Sequence, residues 1–248
     1  MKVFYNLLLI SLMSNLQANP FGLPEIYQDI FIKGETIKKG VRECDNRYNA
    51  IKPILASLPQ KFKSLDIGAS QGYFSFRMAH EFNARCTMVE DSYTITNSLW
   101  RTGEYLRYLC EQNSSLKNIT LLQTKVYAKD LIKLKKTDTF DVVLAFSVIH
   151  HMRKHETDHY VLFGETIDAL LDLAPVVIIE NPINTGEHTH YIREELLKRD
   201  GKCIYQSPRG NLIYEIYLFD RRTIHEKKSL LENLSSVTYK AFNGTYQS

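Results

Sequence analysis

From Phe62 onward, short apolar runs of strand length alternate with longer amphipathic runs. That alternation is the pattern of strands and helices taking turns along a parallel sheet. The apolar runs predict strands at 62–67, 85–90, 118–123, 140–146 and 175–180. Between them, apolar residues recur at helical spacing over 73–82, 92–112 and 156–173, for example Leu99, Leu106 and Leu109, or Leu162, Ile167, Leu170 and Leu171. Next, "NPINTGEHTHYIREELLKRDG" reads as a loop, a helix and a glycine stop. "KCIYQSPRGNLIYEIYLFDR" reads as two strands about the turn "SPRGN", an antiparallel hairpin that ends an otherwise parallel sheet. The expectation is an α/β fold of seven strands with helices on both faces.

The flanks read differently. Residues 19–60 form an N-terminal extension expected to be helical, with a helix over 42–58 broken near Pro53. In residues 1–18, Lys2 precedes the apolar run "VFYNLLLISLM" and then "SNLQA", the three-part form of a secretory signal. The run is shorter than the roughly 20 residues that span a bilayer. Asn6 interrupts it and Leu16 stands where cleavage favours a small residue. A cleaved signal or membrane-proximal anchor, giving a secreted, periplasmic or membrane-associated chain, and an amphipathic helix on a cytoplasmic body both stay open. Residues 223–248 form a polar tail expected to be loosely held.

Composition narrows the class. At 248 residues and 44% hydrophobic content the chain can bury a large core, and 24% charged residues is far from a disordered profile. A net charge of +3 does not by itself point to nucleic acid, and the lysine and arginine clusters read as solvated faces. Cys44, Cys86, Cys110 and Cys203 show no metal-ligand spacing; Cys86 and Cys203, inside apolar runs, read as small core residues. The N-x-S/T triplets at Asn113, Asn118, Asn233 and Asn243 read as chance occurrences.

The chemistry-bearing stretch is "SLDIGASQGYFS", residues 64–75, where the first strand turns into a helix. In an open parallel sheet, ligands sit beyond the carboxyl ends of the strands. Gly68 and Gly72 let the backbone turn and approach a ligand closely, and N–H groups at the helix start would face a polar or anionic group. Neither a G-x-G-x-x-G loop nor a nucleotide-triphosphate loop with its lysine is present. Asp66 before the first glycine would repel a pyrophosphate and attract a cation. The second strand ends in Glu90 and Asp91, where an acid can accept from ribose hydroxyls; Glu90 is favoured for the sugar, with Asp91 capping the next helix. A nucleoside with a cationic amino-acid tail meets both demands.

"LDIGASQGYFS", "MVED" and "FDVVLAFSVIHHM", in that order, resemble motifs I, II and IV of the class I S-adenosylmethionine-dependent methyltransferases. The resemblance covers about residues 45–220 and implies a Rossmann-like domain at 61–222, with S-adenosyl-L-methionine as cofactor. Carried onto this chain, the donor contacts fall on Asp66, Gly68, Ala69, Ser70, Gly72, Tyr73, Glu90, Asp91, Phe146 and Ser147. Ser70 replaces the usual middle glycine, which is tolerable if its backbone angles are ordinary. The third strand lacks the acid that often accepts from the adenine amine, leaving backbone, Gln123 or Asp130.

Methyl transfer requires alignment more than catalytic groups. His150 and His151, beside the expected methyl, are either a general base for a hydroxyl or a pair that fixes its loop, with His151 slightly ahead. Glu180 holds an acceptor hydroxyl, orients a histidine, or is simply a buried carboxylate. His188 and His190 with Glu187 do not make a metal set, because histidines two apart do not share a helix face. "AFSV" stands where amino-methyltransferases of the N-P-P-Y type carry their tetrapeptide, and the lysine-acid set of ribose methyltransferases is missing. A hydroxyl on a sugar, lipid or small metabolite is the favoured acceptor. An RNA methyltransferase, a nicotinamide oxidoreductase, or a catalytically silent binding module at a membrane are the alternatives.

Overall fold

The computed structural model describes residues 26–91, 102–152, 161–183, 187–209 and 212–222. The signal-like segment 1–18 and the tail 223–248 lie outside the described residues, as does the start of the helix expected at 92.

The main body is a seven-stranded sheet. Strands β3 (Lys63–Ile67), β4 (Arg85–Glu90), β5 (Ile119–Gln123), β6 (Val142–Phe146) and β7 (Val176–Ile183) run parallel. Strand β9 (Leu212–Asp220) lies antiparallel between β7 and β8 (Lys202–Arg209), giving the order β5-β4-β3-β6-β7-β9-β8. The order reverses between β3 and β6, where an open sheet leaves a crevice at its carboxyl edge.

Period-two alternation sends Leu65, Ile67, Val143, Ala145, Val177 and Ile179 to one face and Met88, Val142, Leu144, Phe146, Val176 and Ile178 to the other. Helices α1 (Cys44–Ala56), α2 (Tyr73–Phe82) and α3 (Thr102–Gln112) cover the second face. Helices α5 (Val161–Leu171) and α6 (Glu187–Lys198), with Leu131 of α4 (Ala128–Leu134), cover the first. The two-sided cover predicted from the sequence is thus present.

Four expectations need correction. The extension contains a two-stranded sheet, β1 (Ile30–Ile32) and β2 (Glu35–Lys38), before its helix. Its turn places Lys33 and Gly34 at φ of +52° and +92°, the pair of positive angles a tight hairpin requires. Pro53 does not break α1: it sits in the last turn, and Tyr48, Ile51, Ile54 and Leu55 anchor that face in the core. Ser207 and Pro208 pair with Tyr214 and Ile213 and so belong to β8; an edge strand tolerates a residue without an N–H. Cys203 is exposed rather than buried, because β8 is that edge. Helix α4 was not anticipated.

Asn113, one of the N-x-S/T asparagines, is buried, donating to the Phe31 and Leu109 carbonyls and accepting from the Lys33 N–H. Its side chain ties the small sheet to α3.

Candidate active site

The loop between β3 and α2 is built from left-handed backbone. Gly68, Ser70 and Gly72 have φ of +72°, +56° and +73°, so the substituted middle position is not ordinary: Ser70 keeps the conformation a glycine there would adopt. A side chain on Gly68 would meet Val148 at 2.7 Å, and one on Gly72 would meet Phe76 and Leu106 at 2.8 and 2.9 Å. The glycines are therefore demanded by angle and by packing at once. The Gly68 and Ala69 N–H groups donate to the Val89 carbonyl at 2.9 and 3.2 Å, fastening the loop to β4.

Asp66 and Glu90 lie on neighbouring strands at the same end of the sheet, where Asp66 pairs with Met88 and Ile67 with Val89. One Glu90 oxygen accepts the Ser70 N–H at 2.7 Å, so the acid of β4 grips the loop of β3. Asp66 is buried and accepts from the Ser75 hydroxyl at 2.8 Å. Burial pushes its carboxyl up to about 7; the Ser75 hydrogen bond opposes this and the Glu90 charge adds to it. The group read from sequence as a fixed negative charge therefore exchanges its proton near neutrality.

One predicted contact, Tyr73, faces elsewhere. The Tyr73 ring is buried against Phe31, Tyr48 and Phe74, and its hydroxyl meets Asp45 and Arg77. The Tyr73 N–H, at the start of α2, is taken by Gln28 Oε1 at 3.2 Å. Gln28 in turn donates its own N–H to Gln71 Oε1 at 2.7 Å, so the segment before β1 lies against the glycine loop. Gln71 is fully buried, and its Nε2 has no partner among the described residues. Sequence reasoning passed over both glutamines; the only signal was the position of Gln71 between two glycines.

At the next strand end, Phe146 packs edge-to-face on Phe74 at 4.6 Å. Ser147 has φ +53°, its N–H donates to the Glu180 carbonyl at 3.0 Å, and its hydroxyl has no partner among the described residues. The 3₁₀ turn Ile149–His151 carries the two histidines with ring centroids 3.9 Å apart, and His188 of α6 lies 5.9 Å from His150. His151 is exposed and His150 half-buried. Asp91 follows the last residue of β4, and the start of the helix it would cap lies beyond the described residues.

Glu180 does not stand open to the strand ends. It is buried, with one oxygen accepting from Arg42 and the other from Arg47. Of the candidate adenine partners, Gln123 is tied to Gly103 and Arg107 of α3, and Asp130 accepts the Tyr127 N–H at the start of α4. Among the described residues no group of three or more His, Cys, Asp or Glu side chains is arranged to hold a metal ion, and no helix is long and apolar enough to cross a membrane.

No protein-family model matches the sequence, and no curated protein matches it either. Solved structures do resemble the fold. The N-terminal domain of EvdMO1, crystallised in the presence of SAH and D-fucose, superposes with a TM-score of 0.54 at 10% identity, over 84% of this chain and 96% of that domain. A candidate O-methyltransferase from Klebsiella pneumoniae gives 0.54 at 12% identity, over 86% and 90%. Full EvdMO1 gives 0.52 at 12%, and there this chain spans 46% of its length. The sheet order, the reversed hairpin and these neighbours together establish that the chain has the Rossmann-like fold of the class I S-adenosylmethionine-dependent methyltransferases.

Proposed function

We propose that the protein is an S-adenosylmethionine-dependent methyltransferase acting on a hydroxyl group. The observation that carries this reading is the loop of three left-handed residues, Gly68, Ser70 and Gly72, pinned by Glu90 at the sheet's reversal point. A cradle of that form suits a nucleoside whose sugar meets an acid and whose tail meets backbone and amide donors; Gln71 Nε2, without a partner among the described residues, is such a donor. The bound donor supplies a methyl carbon activated by positive sulfur.

The chain's own residues then divide the work. Gly68 and Gly72 bring the backbone close, and Glu90 holds the loop and offers its carboxylate to the sugar. Asp66 supports the loop from below through Ser75, the first-turn residue of α2. His151, exposed at the end of β6 beside His150, takes the proton from an acceptor hydroxyl as the oxygen attacks. In-line displacement needs little else beyond alignment. The presence of SAH and D-fucose in crystals of the EvdMO1 domain, a neighbour in fold, supports a hydroxylated acceptor.

Titration calorimetry of the full chain with S-adenosylmethionine and S-adenosylhomocysteine tests the reading. Saturable binding of both is expected; no heat with either, on folded protein, removes it and leaves a silent module of the same fold.

A further inference from the structure

A second cluster of charge lies along the same sheet edge, on the α1 side of β7. Glu180 of β7 faces Arg42, just before α1, and Arg47, in its first turns. The two arginines are 4% and 3% exposed, and their only carboxylate partner among the described residues is Glu180. Two buried cations thus share one anion, an excess positive charge that a low-dielectric site leaves costly.

Their hydrogen bonds are also incomplete. Of the five N–H groups on each guanidinium, Arg42 uses one on the Tyr27 hydroxyl at 3.0 Å and one on Glu180. Arg47 uses one on the Glu43 carbonyl, one on Cys44 Sγ and one on Glu180. Both retain donors with no partner among the described residues. The Arg42 guanidinium carbon also lies 3.6 Å from the centroid of the Tyr214 ring and 5.3 Å from that of Tyr27, so ring contacts restrain its fork along with the hydrogen bonds.

Arg42 and Arg47 line an open pocket of about 110 Å³, together with Val41, Glu43, Ser207, Pro208 and Tyr214. Glu43 opposes an anion, but its carboxylate is solvent-exposed and bonded to Asn46 at 2.9 Å, so its field is screened where that of the buried arginines is not. The pocket also adjoins the strand ends described above. The Arg47 guanidinium lies 5.1 Å from the Phe74 ring and 5.9 Å from the Phe146 ring, the aromatic pair beside the glycine loop.

We propose that this pocket binds an oxyanion of the methyl acceptor, a carboxylate or a phosphate, through Arg42 and Arg47, which makes the acceptor an acidic hydroxyl-bearing molecule. The role as acceptor subsite rests on the methyltransferase reading; the anion site itself does not. Glu180 is then a positioning residue that aims the two forks.

The test uses the full chain with inorganic phosphate and with acetate, each titrated against chloride at constant ionic strength, reading the thermal midpoint. A saturable rise with one or both anions is expected; phosphate alone indicates a phosphorylated acceptor, acetate alone a carboxylated one. Arg42→Gln should weaken the half-saturation roughly tenfold or more, the loss of a charge-assisted contact. Ser207→Asp, which adds a carboxylate to the pocket while leaving both arginines in place, should do the same and covers the case in which Arg42→Gln fails to fold. No saturable rise with either anion, or equal rises in wild type and variants, overturns the proposal. S-adenosylhomocysteine binding is measured on the same preparations: its absence alongside anion binding defeats the donor reading and leaves the anion site, whereas its presence without anion binding defeats the anion site alone.

Discussion

Replacing Asp66 by Asn isolates the cost of burying a carboxyl group under the glycine loop. The folded carboxyl titrates near 7 because it is desolvated, while the unfolded chain titrates near 3.8. Between those values the folded state holds a proton that the unfolded state has released, so stability falls as pH rises and the penalty is complete above 7. From pH 5 to pH 8 the proton is held over about two pH units, which at about 1.4 kcal/mol each amounts to about 3 kcal/mol. Asparagine keeps the size and can accept from the Ser75 hydroxyl, but it does not titrate. Urea unfolding of both proteins at pH 5, 6, 7 and 8 measures the difference. The wild type should lose about 3 kcal/mol relative to Asp66→Asn across the series, most of it before pH 7. Parallel profiles, or a wild type that gains on the variant as pH rises, would show that Asp66 is solvated or paired with a cation and would refute burial as the cause of its shift.

Other substitutions probe the rest of the site. Gly68→Ala combines a positive φ with a contact at 2.7 Å from Val148, and should cost about 2–3 kcal/mol in urea unfolding and weaken S-adenosylhomocysteine binding measured by calorimetry. Glu180→Gln leaves two buried guanidiniums without a counter-charge and should destabilise by about 3–5 kcal/mol; a loss within about 0.5 kcal/mol would mean the arginines find solvent. His151→Ala should lower methyl transfer to a hydroxyl acceptor by about a hundredfold while leaving S-adenosylhomocysteine affinity unchanged, and a matching loss of affinity would assign the residue to the fold of its turn instead.

Most of the architecture was legible because it is written in local periodicity. Strands β3 to β7 fall within a few residues of the predicted spans, since a buried parallel strand is a continuous apolar run bounded by helical patterns. The elements that were missed have weaker local signals. Strands β1 and β2 total seven residues, and only the Lys33-Gly34 turn announces them. Helix α4 is seven residues long with one buried side chain, Leu131, too little for a helical stripe to stand out.

The glycine loop and the acid at the end of β4 were readable because backbone angle and spacing are properties of neighbouring residues. That the loop is left-handed at Ser70 as well could not be read, because a serine leaves the angle open until the Glu90 carboxylate fixes its N–H. The sequence by itself determined the succession of apolar and amphipathic runs along the chain, the glycine loop and the acid that follows it, all short-range features. Only the tertiary structure decided the ionisation of Asp66, the clamping of Glu180 by Arg42 and Arg47 more than 130 residues away, and the covering of the α2 start by Gln28. Burial and pairing of charge depend on which distant segments meet, and no local pattern encodes the dielectric or the partner that a side chain will find.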